Sequence, residues 1–284
     1  MRIANLDDRL ALIVDDGTGT DRALDVEQAS DGLFSADPQA IYPRWDEFQR
    51  WAARADAGPA RTFEHRDLGA PAPRPGQVLA IGLNYRDHAA ESGLDLPDSP
   101  TVFTKFVSSF TGPYGDVVLA GPTVDWEVEL VAVIGRTARR VPVEQGWDHV
   151  AGLTAGQDLS ERTVQLAGPA PQFSLGKSFP GFGPTGPWLV TPDELADRDD
   201  IALGCAVNGE SMQKGRTSDL VFTVPQLVAE LSAVLELRPG DVIFTGTPAG
   251  VGGGRKPQRF LAAGDELVTT VEGIGTMRHR LVSA

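Results

Sequence analysis

Glu127 and Glu129 stand two residues apart in the segment Val124-Asp125-Trp126-Glu127-Val128-Glu129-Leu130-Val131-Ala132-Val133-Ile134-Gly135. The segment alternates polar and apolar residues and then becomes a run of branched ones, the pattern of a β-strand. A period of two places both carboxylates on one face. Two like charges on so apolar a strand repel each other and are costly to desolvate unless something neutralises them. A hard divalent cation such as Mg²⁺ or Mn²⁺, which prefers oxygen ligands, would do so. The competing reading is a strand whose polar face meets solvent, as antiparallel strands often allow.

Three other groups invite chemistry. His88 and Glu91 lie in Asn84-Tyr85-Arg86-Asp87-His88-Ala89-Ala90-Glu91-Ser92-Gly93. On a helix, a spacing of three brings them into contact. A carboxylate beside an imidazole fixes its tautomer and raises its basicity, which suits a general base acting on water. An exposed surface pair has the same spacing. Asp158 ends the apolar run 150–157 and is a candidate third carboxylate ligand, or else a helix N-cap. Lys177, between Gly176 and Ser178-Phe179, could hold a substrate carboxylate or an enolate oxygen, although most lysines are simply at the surface. The glycine-rich stretch 246–255 lacks the Gly-Lys-Ser/Thr ending of a P-loop and the spacing of a dinucleotide turn. It reads as a tightly turning or mobile active-site loop. There is no Gly-x-Ser-x-Gly elbow, and a lone Cys205 argues against zinc-thiolate sites and redox pairs.

The elements that must position these residues are mostly short strands broken by 32 glycines and 21 prolines. Strands are expected at 10–14, 78–82, 102–106, 116–119, 126–134, 151–158, 187–190, 201–207, 241–245 and 266–271, the last forming a hairpin with 277–281. A turn is expected at 15–19. A helix is expected at 44–55, with Trp45, Phe48 and Trp51 as core or interface contacts. A second, at 225–237, carries a stripe of Leu227, Val228, Leu231, Val234 and Leu235. The proline-rich connector 69–76 suggests a small domain at 1–70 and a catalytic domain at 71–284. The fold class is mixed, β-rich α+β, with a roll or distorted barrel as its body.

Composition narrows the partners. The 284 residues carry a net charge of −14, which argues against nucleic acid or an anionic membrane surface. One cysteine, no apolar leader at the N-terminus and no long apolar stretch lead us to expect a cytoplasmic chain.

Six blocks, in order over residues 77–282, resemble the fumarylacetoacetate hydrolase family. They are Ile81-Gly82-Leu83-Asn84-Tyr85 with His88 and Glu91; Glu127-Val128-Glu129-Leu130; Gln157-Asp158-Leu159-Ser160-Glu161-Arg162; Gly176-Lys177-Ser178-Phe179; Val207-Asn208-Gly209; and 239–252, which contains Gly246-Thr247-Pro248. The resemblance implies a mixed β-roll and a homodimer. It implies Mg²⁺ or Mn²⁺ held by Glu127, Glu129 and Asp158, and a water-activating pair, His88 and Glu91, on a lid that orders over ligand. It makes Lys177 a substrate-contacting catalytic residue and places Arg162, Gln165 and Thr247 along the substrate pocket. The expected reaction is hydrolysis of the C–C bond of an acylpyruvate, a 2,4-dioxo acid. Decarboxylation or isomerisation of a 2-oxo acid in aromatic catabolism uses the same enolate chemistry and is the alternative. Pro180 follows Phe179 where the family often has Asp, and Gln157 stands where Asn is common.

Overall fold

The computed structural model describes residues 1–15, 21–56, 58, 60–93 and 95–284. Apart from Asp15, the turn expected at 15–19 lies outside the described residues. Two β-sheets form the body. The described path of the larger runs Asp21–Asp25, Arg9–Asp15, Arg2–Leu6, Gly183–Val190, Val150–Gln157, Val128–Ile134, Val242–Phe244, Val78–Gly82, Thr101–Thr104. The smaller runs Glu210–Arg216, Ala202–Val207, Glu266–Val271, Gly275–Val282, Tyr114–Val118. Most neighbours are antiparallel. Val242–Phe244 with Val78–Gly82, and Gly275–Val282 with Tyr114–Val118, are parallel. The result is the β-rich mixed α+β fold expected.

The strand Val128–Ile134 organises the interior. It lies between Val150–Gln157 and Val242–Phe244 and is buried throughout. Val128, Leu130, Ala132 and Ile134 face one apolar core, shared with Leu203, Leu267, Met277 and Leu281 of the smaller sheet. Val131 and Val133 face a second core with Phe244, Val78, Ile3 and Leu10. A strand covered on both faces must be apolar on both, which explains the branched run. Glu129 and Glu127 continue the Val133–Val131 parity, so they emerge where the second core stops. Gly156 lies opposite Glu129. A Cβ there would stand 2.5 Å from Val131 Cγ2 and 2.9 Å from Phe244 Cε1, so only glycine lets the strands meet at this level.

The first strands are part of the larger sheet. Arg2–Leu6 joins Gly183–Val190 in the register Arg2 to Val190 and Ile3 to Leu189. The helix Trp45–Ala52 closes the second core with Trp45 and Phe48, and Phe48 meets Phe34 edge-on at 5.3 Å. Among the described strands of five residues or more, three carry no readable signal in the sequence: Arg2–Leu6, Asp21–Asp25 and Glu210–Arg216. The last is polar because only Met212 and Gln213 turn inward, and pairing with Ala202–Val207 supplies what patterning does not. The helix expected at 225–237 spans Val224–Val234 behind a Thr223–Gln226 capping box. Leu235 is already extended, so Val234 is exposed instead of joining the stripe.

Candidate active site

Glu127, Glu129 and Asp158 converge. Each offers a carboxylate oxygen within 4.8 Å of the others, and all three are buried. The solvent-facing reading of the strand is therefore wrong, and the N-cap reading of Asp158 also fails. Asp158 follows the strand Val150–Gln157, and its N–H donates to Glu127 O at 2.9 Å. Where the ladder runs out, two side-chain amides replace it. Gln157 Oε1 accepts from Glu127 N, and Gln213 Oε1 accepts from Val128 N, each at 2.9 Å. Gly246 N donates to Glu129 Oε2 at 2.7 Å. Gly246 has a φ of 101°, and a Cβ would stand 2.7 Å from Asn84 Cβ, so this donor requires glycine.

Three cations surround the acids. Lys177 Nζ bridges Glu127 Oε2 at 2.9 Å and Asp158 Oδ2 at 2.6 Å. Lys105 Nζ holds Asp158 Oδ1 at 2.6 Å and also donates to the Lys177 carbonyl. Arg162 Nη1 reaches Glu127 Oε1 at 2.6 Å and Gln165 Oε1 at 2.9 Å, while its Nε donates to Asp125 Oδ2 at 2.8 Å. Arg162 Nη2 lies 2.7 Å from the same oxygen, a good distance for charge attraction, but no acceptor is aligned with its hydrogens.

The electrostatics follow from this crowding. Burial pushes Glu127 up, but Lys177 and Arg162 prevail and hold it near about 2. Burial, Asp158 and Glu127 together push Glu129 well above the carboxylate range. Burial opposes the Lys177 charge, and Asp158 and Glu127 more than restore it. Burial prevails at Lys105, whose pKa falls despite Asp158. Four buried carboxylates, counting Asp125, thus face three cations, and Glu129 is the acid with no cation of its own. An all-oxygen donor set, buried and short of positive charge, fits a hard divalent cation such as Mg²⁺ or Mn²⁺.

A cavity of about 510 Å³ reaches the triad at Glu127, and His88, Glu91, Arg162, Gln165, Lys177 and Thr247 line it as well. Glu129 and Asp158 are buried next to Glu127 and are not part of the cavity wall. The spacing-based pairing of His88 and Glu91 is present, with Nδ1 and Oε2 3.3 Å apart. They sit on the helix Arg86–Ser92, whose root is fixed by Asn84. The Asn84 amide donates to Thr245 O at 2.7 Å and Phe222 O at 3.0 Å. Both Glu91 oxygens accept from Gly250 N at 3.1 Å. His88 therefore stands over the cavity, close enough to Glu127 to lower its pKa further. The Thr247 hydroxyl donates to Val128 O at 2.8 Å and accepts from Gln213 Nε2 at 2.7 Å, so it braces the strand end as well as lining the cavity.

Two residues were overlooked in the sequence. Asp125 is fully buried and accepts from Gly252 N at 2.7 Å, Gly253 N at 2.8 Å and Arg162. It shares the odd parity of Glu127 and Glu129, which was its available signal. Lys105 has no such signal, because Phe103-Thr104-Lys105-Phe106 looks like any strand end. The glycine-rich loop is tight: Asp125 pins its amides, and Arg255 Nη2 ties it to Met212 O at 2.8 Å.

Comparison with known proteins agrees with this architecture. Residues 77–282 match the model of the Fumarylacetoacetate (FAA) hydrolase C-terminal family. Human oxaloacetate tautomerase FAHD2A, mitochondrial, is 44% identical over 215 residues, 75% of this chain and 68% of that protein. A crystal structure of a Mycobacterium smegmatis protein provisionally called HpcE superposes with a TM-score of 0.94 at 55% identity, covering 100% of both chains. Maleylpyruvate hydrolase from Sphingobium sp. SYK-6, solved with manganese(II) and pyruvate, superposes with a TM-score of 0.77 at 28% identity, again over 100% of both chains. With the family's model covering most of its length and these relatives beside it, the chain belongs to the fumarylacetoacetate hydrolase family.

Proposed function

We propose that this chain is a divalent-metal-dependent hydrolase that cleaves the C–C bond of an acylpyruvate-type 2,4-dioxo acid. One observation carries the reading: a His–carboxylate pair lines the same cavity as Glu127, one member of a buried three-carboxylate cluster. Glu127, Glu129 and Asp158 would hold Mg²⁺ or Mn²⁺, which supplies Lewis-acid stabilisation of enolate charge. Support for that cation comes from the maleylpyruvate hydrolase, which was solved in complex with manganese(II) and pyruvate.

The chain's own residues then have distinct tasks. Glu91 engages His88 Nδ1, which leaves Nε2 free to take a proton from water directed at the C4 carbonyl. The Gly250 amide keeps Glu91 oriented for this. Lys177 spends two N–H groups on Glu127 and Asp158 and keeps a third for a substrate oxygen. Gln165, held by Arg162 Nη1 at 2.9 Å on the cavity wall, suits the 2-oxo acid carboxylate. Phe103, Phe173, Leu166 and Phe260 form the apolar wall that takes the acyl chain and excludes water.

A second reading follows from the human relative, an oxaloacetate tautomerase. Tautomerisation moves a proton between C3 and the 2-oxo oxygen and needs no attacking water, so His88 alone would serve. Decarboxylation draws on the same residues. The protein should be incubated with acylpyruvates and oxaloacetate, with Mg²⁺ or Mn²⁺ and then with EDTA. Release of pyruvate and the matching acid, lost on chelation, supports hydrolysis. Turnover of oxaloacetate alone favours the second reading, and no turnover at any metal concentration removes both. We also propose a homodimer, joined through apolar residues exposed beside the edge strand Thr101–Thr104.

A further inference from the structure

We infer that Lys256 selects substrates carrying a second anionic group, a carboxylate at the end of the acyl chain remote from the 2-oxo acid. The inference rests on reading the cavity as a 2-oxo acid pocket.

Three cations belonging to described residues line the cavity besides His88: Arg162, Lys177 and Lys256. The first two sit at the floor and are committed to carboxylates, Arg162 to Asp125 and Glu127, Lys177 to Glu127 and Asp158. Lys256 is exposed, so it stands at the mouth, and among the described residues it has no carboxylate, hydrogen-bond or ring partner.

The loop that carries it is fixed. Arg255 turns inward to Met212 O at 2.8 Å, and Arg259 pairs with Glu210 Oε2 at 2.7 Å. Gln258 Nε2 donates to Gly253 O at 2.9 Å. Two of the three cations in 255–259 therefore build the loop, and the one between them is left over the cavity. The lining also carries the large apolar side chains Phe103, Phe173, Leu166 and Phe260. A ligand that fits is anionic at both ends and apolar between. A neutral tail would leave the Lys256 charge without a partner at the mouth, whereas a terminal carboxylate would supply one. On a chain of net charge −14, an unpaired lysine here also offers incoming dianions a local attraction.

Binding and turnover test this separately. Calorimetry with Mn²⁺ compares 2-oxoadipate with 2-oxohexanoate, matched in length and lacking the 4-oxo group that cleavage needs. We expect the diacid to bind about tenfold more tightly to the wild type, as for a charge-assisted hydrogen bond. Lys256→Met should remove the difference by weakening the diacid only, Lys256→Arg should keep it, and Lys256→Glu should invert it. Equal affinities in the wild type, or equal weakening of both acids by Lys256→Met, would overturn the inference. Turnover of 2,4-dioxo acids ending in carboxylate or methyl should show the same preference in kcat/KM. If neither is cleaved while the binding preference holds, the hydrolase reading fails and the assignment of Lys256 stands.

Discussion

At the scale of single residues, the proposed function assigns holding an ion and moving a proton to different side chains, and substitutions should separate the two. Glu127→Ala removes a ligand and leaves Lys177 and Arg162 each one acceptor short, so Mn²⁺ binding by calorimetry should be lost. His88→Ala touches none of the three carboxylates. It should bind Mn²⁺ normally while hydrolysis falls roughly 10²–10⁴-fold, the usual share of a general base. Full hydrolysis in that variant would remove His88 from the role. Asp125 makes a different prediction. Asp125→Ala would leave the Arg162 guanidinium without one carboxylate and the amides of Gly252 and Gly253 without an acceptor. Breaking a buried pair costs about 3–5 kcal/mol, and chemical denaturation should show a loss of that order. Glu127 with Glu129, and His88 with Glu91, were legible because period-two and period-three spacing are local facts, while Asp158 stood out only as the charged end of the apolar run 150–157. Lys105 was not legible, because its importance comes from an Asp158 that lies 53 positions away and meets it only through folding.

At the scale of elements, alternation was a reliable guide wherever one residue type filled one face. Glu266–Val271 was readable for this reason, whereas Val128–Ile134 and Val150–Gln157, buried on both faces, were readable as apolar runs. Glu210–Arg216 was not, because the sheet edge and its partner strand define it more than its own composition does. The hairpin ending in Gly275–Val282 carries a separate, titratable consequence. His279 is buried, and burial lowers its pKa against the raising effect of its hydrogen bond to Gly112 O at 3.1 Å. Above pH about 6.5 the ring is neutral in both states and the contribution to stability is complete. As the pH falls below that value, the unfolded chain takes up a proton that the fold refuses, so stability declines until the folded pKa is reached. Denaturation of wild type and His279→Gln across pH 5 to 8 should show their stability difference narrowing on the acid side. The comparison cancels Glu129, whose raised pKa acts in the opposite direction. A difference that stays constant across the range would exclude His279 as the cause.

At the scale of the whole molecule, one region is unlike the rest of the surface. Val102, Phe106, Val107, Leu166 and Leu175 are exposed on or beside the edge strand Thr101–Thr104 and the short helices that flank the cavity. They form one neighbourhood, because Thr104 N donates to Ser174 Oγ and Phe106 N donates to Ser178 Oγ. The Thr104 bond also occupies a backbone donor at the end of the edge strand, one that would otherwise be open to another strand. A second copy should therefore pack on this region through side chains and not extend the sheet. Clustered exposed apolar side chains of this kind mark association surfaces, and a stable homodimer typically buries about 1,200–2,000 Å² or more. Light scattering coupled to size exclusion should give twice the chain mass of 30.2 kDa for the wild type. Leu175→Asp together with Phe106→Asp should give the single-chain mass with the fold retained by circular dichroism. A double variant that keeps the wild-type mass would place the contact elsewhere. Because Leu166 and Phe103 also line the cavity, a dimer formed here would bear on its wall, and the monomeric variant should lose substrate affinity before it loses the metal.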